Sequence, residues 1–208
     1  MESVEIIKDH VPTDWVSLTS MIKIVGVGGG GCNAVSYMYE KGITGCQMYV
    51  CNTDSKALER SVVPNHIRIG NGLGAGTRPE VGRSAALESC DRIMEALIDA
   101  QTQMVFVTAS LGGGTGTGAA PVVAAICKEA GLLTVGVVTL PFESEGKAAR
   151  TKALDGLDSM RHSVDSLIVI DNNKLYSHYG SLSISSAFHK ADEILTTAVL
   201  GILGIIEK

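Results

Sequence analysis

Residues 26–34 read G-V-G-G-G-G-C-N-A and follow the apolar run Met21-Ile22-Lys23-Ile24-Val25. Glycine serves one kind of chemistry at such a place. Without a Cβ, backbone N–H groups approach an oxyanion closely, and a helix N-terminus behind them adds partial positive charge. Asn33 would add a side-chain donor. Four consecutive glycines are costly to order for a mere turn, which favours a bound phosphate. The same residues also fit G-x-G-x-x-G through Gly26, Gly28 and Gly31. Asp54, near the end of the next apolar run, stands where a dinucleotide site places its ribose carboxylate. On this loop alone a phosphate loop and the fingerprint of an NAD-dependent oxidoreductase are about even.

A second loop breaks the tie. Residues 109–121, A-S-L-G-G-G-T-G-T-G-A-A-P, follow the run Met104-Val105-Phe106-Val107-Thr108. A dinucleotide enzyme has no use for a second, longer glycine turn opening another helix of the same sheet. Gly112, Gly113, Gly114, Gly116 and Gly118 let the backbone wrap a phosphate chain, and Thr115 and Thr117 offer hydroxyl donors. The segment lacks the G-x-x-x-x-G-K-[ST] of a P-loop, and Ser110 is not set in a G-x-S-x-G elbow.

Both loops need strands to end them and helices to follow. Runs at 22–27, 47–52, 104–108, 133–139 and 167–171 are short, rich in Val, Ile and Thr, and apolar on both faces, as covered parallel strands are. Between them, Pro79 suits a first helical position, with Ala86, Cys90, Ile93 and Leu97 at helical spacing behind it. Ala149, Ala153, Leu157 and Met160 form a second stripe. The βαβα alternation predicts an α/β fold with a doubly wound, mainly parallel sheet and ligands at the carboxyl ends of its strands. Residues 1–20 show no sustained period and read as a flexible arm, with the nucleotide-binding domain at 21–184. From 185 to 208, Phe188, Ala191, Ile194, Leu195, Ala198, Val199, Ile202, Ile205 and Ile206 cover nearly the whole helix circumference. Such a helix expects burial on all sides, as a connecting helix does when a second domain packs beyond it.

Hydrophobic residues make up 45% of the 208 and charged residues 19%, enough apolar material for a sizeable core. The net charge of -5, without a basic block, argues against nucleic acid or an anionic membrane as partner. Five cysteines without a C-x-x-C speak against a disulfide framework or structural zinc and for a reducing cytoplasm. The five histidines form no metal-spaced set; His66, His162, His178 and His189 read as surface residues.

G-G-G-T-G-T-G-A-A-P resembles the signature of the tubulin/FtsZ superfamily, and its form is nearer to the bacterial FtsZ proteins than to eukaryotic tubulins. The resemblance runs from about Ile22 to the end of the chain. It includes C-N-T-D-S-K-A-L, G-L-G-A-G-T-R-P-E-V-G, V-V-T-L-P-F-E-S-E-G-K, V-D-S-L-I-V-I-D-N-N-K-L and A-F-H-K-A-D-E-I-L. It implies a Rossmann-like GTPase domain that binds GTP or GDP, with Mg²⁺ held mainly through the phosphates. By that resemblance Gly29, Gly30, Gly31, Cys32 and Asn33 line the diphosphate, and Gly114, Thr115 and Gly116 grip it from the second loop. Ala75 and Gly76 present donors near the γ-phosphate, Asn52 and Asp54 lie beside the nucleotide, and Glu145 reaches the ribose. Asn172 and Asp192 contact guanine, and Phe188 stacks on it. A carboxylate can accept from the N1–H and N2–H edge that adenine lacks.

The family's members are cytoplasmic cell-division GTPases that assemble head to tail at the division site. There an acidic loop beyond the central helix completes the next subunit's active site. The resemblance therefore implies that catalytic carboxylates come in trans, that this stretch alone hydrolyses little GTP, and that other division proteins bind through further regions. A non-hydrolysing structural member of the superfamily would show the same loops. Three departures stand out. Cys32 occupies a position where glycine or asparagine is usual, and a thiol at a helix N-terminus can be reactive, although a small residue that simply fits is the plainer reading. Ala149 replaces an expected basic residue, with Arg150 next to it. The segment between Ile69 and Gly72 is short.

Overall fold

The computed structural model describes residues 21–179 and 183–206; the arm expected over 1–20 lies outside them. Six parallel strands form one sheet in the order β3-β2-β1-β4-β5-β6. They are β1 (Ile22–Val27), β2 (Gln47–Asn52), β3 (Asn65–Arg68), β4 (Met104–Ser110), β5 (Leu133–Leu140) and β6 (Ser166–Asp171). The helices are α1 (Gly28–Glu40), α2 (Ser55–Glu59), α3 (Pro79–Leu87), α4 (Cys90–Leu97), α5 (Thr115–Glu129), α6 (Lys147–Ser163), α7 (Asn172–Tyr179) and α8 (Ile184–Ile206). The doubly wound parallel sheet expected from the alternation is present.

Two cores cover the sheet. Along β1, Ile22 and Ile24 face one side, while Val25 and Val27 face the other. The first side packs against α1 through Val35 and Met38 and against α8 through Leu195 and Val199. The second takes α3 to α6, with Ala86, Ile93, Leu97, Val123 and Met160 all buried. Burial on both faces is what makes each central strand apolar throughout. The one charged residue buried in these strands is Lys23 in β1, 2% exposed, whose Nζ donates to the Ala96 carbonyl at 2.9 Å and pairs with Asp99 at 2.7 Å. That ammonium holds the Asp99 carboxyl well below the usual carboxylate range.

Three expectations change. The sheet has a sixth strand, β3, whose residues Asn65, His66, Ile67 and Arg68 bury only Ile67; a short edge strand carries little hydrophobic signal. The stripe from Ala86 to Leu97 spans two helices, because the chain breaks at Glu88 and Ser89, where the Ser89 hydroxyl accepts from Gly70 N at 3.0 Å. Among the described residues of α8 the buried apolar side chains form one stripe: Ala187, Ala191, Leu195, Val199 and Leu203, each four residues apart. Leu200 points outward at 41% exposure, because a helix lying on a sheet can bury one side against it. No described helix is long and apolar enough to cross a membrane.

Candidate functional site

The strand order reverses between β1 and β4, and in such sheets ligands bind in the crevice at that switch point. The chain leaving β1 becomes α1 at Gly28, and the chain leaving β4 becomes α5 at Thr115. Neither helix has a side-chain cap or an acidic residue in its first turn. Both N-termini therefore direct uncapped N–H groups and partial positive charge into one space.

That space is a cleft of about 520 Å³ beside the ends of β4, β5 and β6. Its glycine-rich end is formed by Gly29, Gly30, Asn33, Gly113, Gly114, Thr115 and Gly116. These glycines are not equivalent. A Cβ on Gly30 would run into the Ser110 hydroxyl, one on Gly31 into the Thr108 carbonyl, and one on Gly116 into the Ser110 carbonyl. At Gly29 and Gly113 a Cβ would meet nothing within 4 Å, so their backbone faces open space. Thr115 and Thr117 are committed to the protein. Thr115 Oγ1 shares a 2.6 Å bond with Thr53 Oγ1, and Thr117 Oγ1 accepts from Gly112 N at 2.8 Å. Thr117 lines a different groove, so the expected hydroxyl donor from it is corrected.

The middle of the cleft holds Ser110, Thr139 and Glu145. Thr139 Oγ1 donates to Ser110 Oγ at 2.9 Å, which leaves the Ser110 proton to point elsewhere. Glu145 Oε1 accepts from Phe142 N at 2.9 Å, fixing its carboxylate above the 3₁₀ turn Glu143–Glu145. At the far end Asn172, Phe188 and Asp192 converge from α7 and α8. Asn172 is buried, and its Oδ1 has no hydrogen-bond partner, a costly state for a buried acceptor. Burial pushes the Asp192 carboxyl up to about 6, against the opposing pull of His189. The Phe188 ring stands edge-on to buried Phe142, centroids 5.1 Å apart, and remains 43% exposed.

The cleft thus gathers Gly29, Gly30, Asn33, Gly114, Thr115, Gly116, Glu145, Asn172, Phe188 and Asp192. Gly31 lies buried beneath it. Cys32 and Asn52 line an adjoining hollow of about 340 Å³ that shares Gly29 and Asn33. Asp54, Ala75 and Gly76 line neither. The Asp54 carboxylate caps α2, accepting from Lys56 N at 2.9 Å and Ala57 N at 3.3 Å; that local task accounts for the acid without a ribose. Buried Ala75 packs under Gly114, and Gly76 is exposed. Ser110, Leu111, Thr139 and Ala191 were missed by the sequence reading. The usable signal was position: Ser110 and Thr139 are polar residues at carboxyl ends of buried parallel strands.

The thiol at the first loop is enclosed by the protein, in keeping with the plainer reading of a small residue that fits. Cys32 is buried, its Sγ lies 3.4 Å from the Gly26 carbonyl and 3.5 Å from that of Cys51, and desolvation pushes it up to about 12. Burial outweighs the helix N-terminus. Arg150 is exposed and does not line the cleft, which has no lysine or arginine among its lining residues. The described residues contain no group of three or more potential metal ligands. His66, His162 and His189 are exposed, while the side chain of His178 lies outside the described residues.

Residues 21–180 match the sequence model of the tubulin/FtsZ family GTPase domain. The chain is 51% identical over 195 residues to cell division protein FtsZ of Porphyromonas gingivalis, covering 92% of this chain and 43% of that one. It is 53% identical over 190 residues to FtsZ of Aquifex aeolicus, covering 89% and 51%. Among solved structures it is similar to an empty FtsZ dimer from M. jannaschii, with TM-score 0.83, 44% identity and coverage of 88% and 54%. A GTPγS-bound protofilament of CetZ2 from Haloferax volcanii gives TM-score 0.76 at 26% identity, with coverage of 88% and 58%. The chain spans about half the length of the curated relatives it matches. Two glycine-rich helix starts facing one cleft, in a sheet of this order and with these relatives, place the chain in the tubulin/FtsZ family, as its GTPase domain.

Proposed function

We propose that this chain binds GTP or GDP in the cleft at the switch point. The open backbone at Gly29 and Gly113 meets the phosphates, Glu145 and the Ser110 hydroxyl lie beside the sugar, and Asn172, Asp192 and Phe188 take guanine. The observation that carries this reading is the pairing of two uncapped helix N-termini with the unpartnered Asn172 Oδ1 in one cleft. An anion and a hydrogen-bonding base satisfy opposite ends of it. The ionised Asp192 carboxylate accepts from guanine N1–H and N2–H, and Phe188 supplies a π-face without base selectivity. Mg²⁺ bound with the nucleotide would neutralise charge on the triphosphate.

Hydrolysis belongs to the whole protein in this reading. The carboxylates of the cleft, Glu145 and Asp192, stand at its sugar and base ends, while its phosphate end offers glycines, Asn33 and Thr115. A neighbouring subunit in a head-to-tail cytoplasmic filament would then supply the acidic groups that orient the attacking water. We read α8 as the helix leading to a further domain, for which outward Leu200 offers an apolar contact.

The test is to denature freshly purified protein and chromatograph what it releases, then titrate the emptied protein with GDP and NAD. Released or tightly bound GDP or GTP is the expected result; NAD instead would overturn it. Phosphate release from GTP should be near background, and robust turnover by this chain alone would refute supply in trans.

A further inference from the structure

The ends of β4 and β5 lie side by side under the middle of the cleft, with Ser110 opposite Thr139 in the strand pairing. One strand further, Leu140 pairs with Asp171, and the chain turns there into buried Asn172. Neighbouring strands are about 4.8 Å apart. A ligand with its base at Asn172 and its phosphates at the starts of α1 and α5 therefore carries its sugar over the β4–β5 step. The oxygen-bearing side chains that line the cleft there are Ser110, Thr139 and Glu145.

Their hydrogen bonds run in one direction. Thr139, 3% exposed, donates its hydroxyl proton to Ser110 Oγ at 2.9 Å. The Ser110 oxygen is thereby an acceptor, and its own proton has no acceptor among the described residues. The first turn of α1 pins the side chain from the other side, because Ser110 Oγ fills the space in which a Cβ on Gly30 would lie. Glu145 Oε1 is held by Phe142 N at 2.9 Å, while Oε2 has no partner among the described residues. The middle of the cleft thus offers one oriented donor and one oriented acceptor. A hydroxyl completes such a pair, since it accepts one bond and donates another.

We propose that Ser110 is a specificity-determining residue: oriented by Thr139, it donates to a sugar hydroxyl whose own proton goes to Glu145, and so selects ribonucleotides over deoxyribonucleotides. The proposal rests on the nucleotide reading above. An analogue lacking that hydroxyl leaves the Ser110 proton and a Glu145 oxygen unmatched, which costs affinity. Glu145 is exposed, so water offsets part of that cost and the selection is moderate. A Ser110 proton given to a phosphate oxygen would act differently, supporting ribonucleotides and deoxyribonucleotides alike.

The test measures GDP, 2′-deoxy-GDP and 3′-deoxy-GDP affinities by calorimetry in the unaltered protein, Ser110→Ala, Thr139→Val and Ser163→Ala. Ser163 is exposed at the end of α6, where its hydroxyl bonds to the Ser159 carbonyl at 2.9 Å, outside the cleft. The unaltered protein should bind GDP about tenfold more tightly than at least one of the two analogues, and the analogue affected identifies the hydroxyl. Ser110→Ala should weaken GDP about three- to tenfold and that analogue less than about twofold. Thr139→Val, which frees the Ser110 hydroxyl to turn, should narrow the same ratio at least about twofold. Ser163→Ala should keep the unaltered ratio. Equal losses for GDP and both analogues in Ser110→Ala, or an unchanged ratio in either cleft variant, would overturn the proposal. Should Ser110→Ala fail to fold, Thr139→Val decides alone by the same criterion. GDP binding without sugar discrimination by the unaltered protein rejects the role of Ser110 only, whereas failure to bind any guanine nucleotide rejects the nucleotide reading itself.

Discussion

Asp192 shows how one side chain's environment governs a site. Its carboxyl is drawn up to about 6 because burial strips water from it. The folded, empty protein therefore holds the proton more tightly than the unfolded chain, and this group's contribution to stability falls as pH rises from about 4 to about 6. Guanine binding works in the opposite sense, since only the carboxylate accepts both N–H groups. Guanine-nucleotide affinity should fall by up to about tenfold per pH unit below 6. Asp192→Asn should bind more weakly at pH 7.5 and show a flatter profile, and calorimetry from pH 5 to 8 checks both. An unaltered slope in Asp192→Asn would place the titration on another group. The identity of Asp192 as a candidate came from its motif; its shifted titration came only from the packing of α8 beside the cleft.

At the scale of elements, the glycine-rich starts of α1 and α5 combine two uses of a missing Cβ. Some of these glycines let backbones touch, and others leave a surface open. Gly116→Ala forces a methyl against the Ser110 carbonyl and should cost about 1–3 kcal/mol of stability by overpacking. Gly113→Ala meets no protein atom and has ordinary φ, so its melting temperature should stay close to that of the unaltered protein. Its methyl would occupy the phosphate path, and nucleotide affinity should drop tenfold or more. Thermal denaturation and nucleotide titration of the two variants distinguish the roles. If Gly113→Ala binds normally, the phosphates do not pass there. The sequence shows seven residues of G-G-G-T-G-T-G as one signal and cannot sort them, because the sorting depends on how closely the end of β4 folds back on the loop and how closely Ala75, Arg78 and Pro79 approach from a distant part of the chain.

For the whole molecule, stability rests on two cores that clasp one sheet, and α8 joins the core it shares with α1 by a single stripe. Leu195→Ala, at a site 1% exposed, should cost about 2–5 kcal/mol. Leu200→Ala, on the outward side, should stay within about 0.5 kcal/mol. Denaturant melts of both variants test this, and a large loss at Leu200 would mean that its face is covered in solution. The sequence by itself determined the five hydrophobic strands and the two glycine-rich loops, because continuous apolar runs and glycine runs are local patterns. The motifs also marked Asn172, Phe188 and Asp192, which meet at one end of the cleft. Only the tertiary structure decided the rest. β3 is held by pairing along an edge, the break between α3 and α4 is held by a serine bonded to a remote glycine, and Cys32 is enclosed by the protein. Asp54 caps α2 through one carboxylate oxygen, Ser110 and Thr139 join the middle of the cleft, and Lys152 reaches a loop 75 residues away in the chain. Each depends on which distant groups arrive at one place, and no local pattern of residue types encodes that.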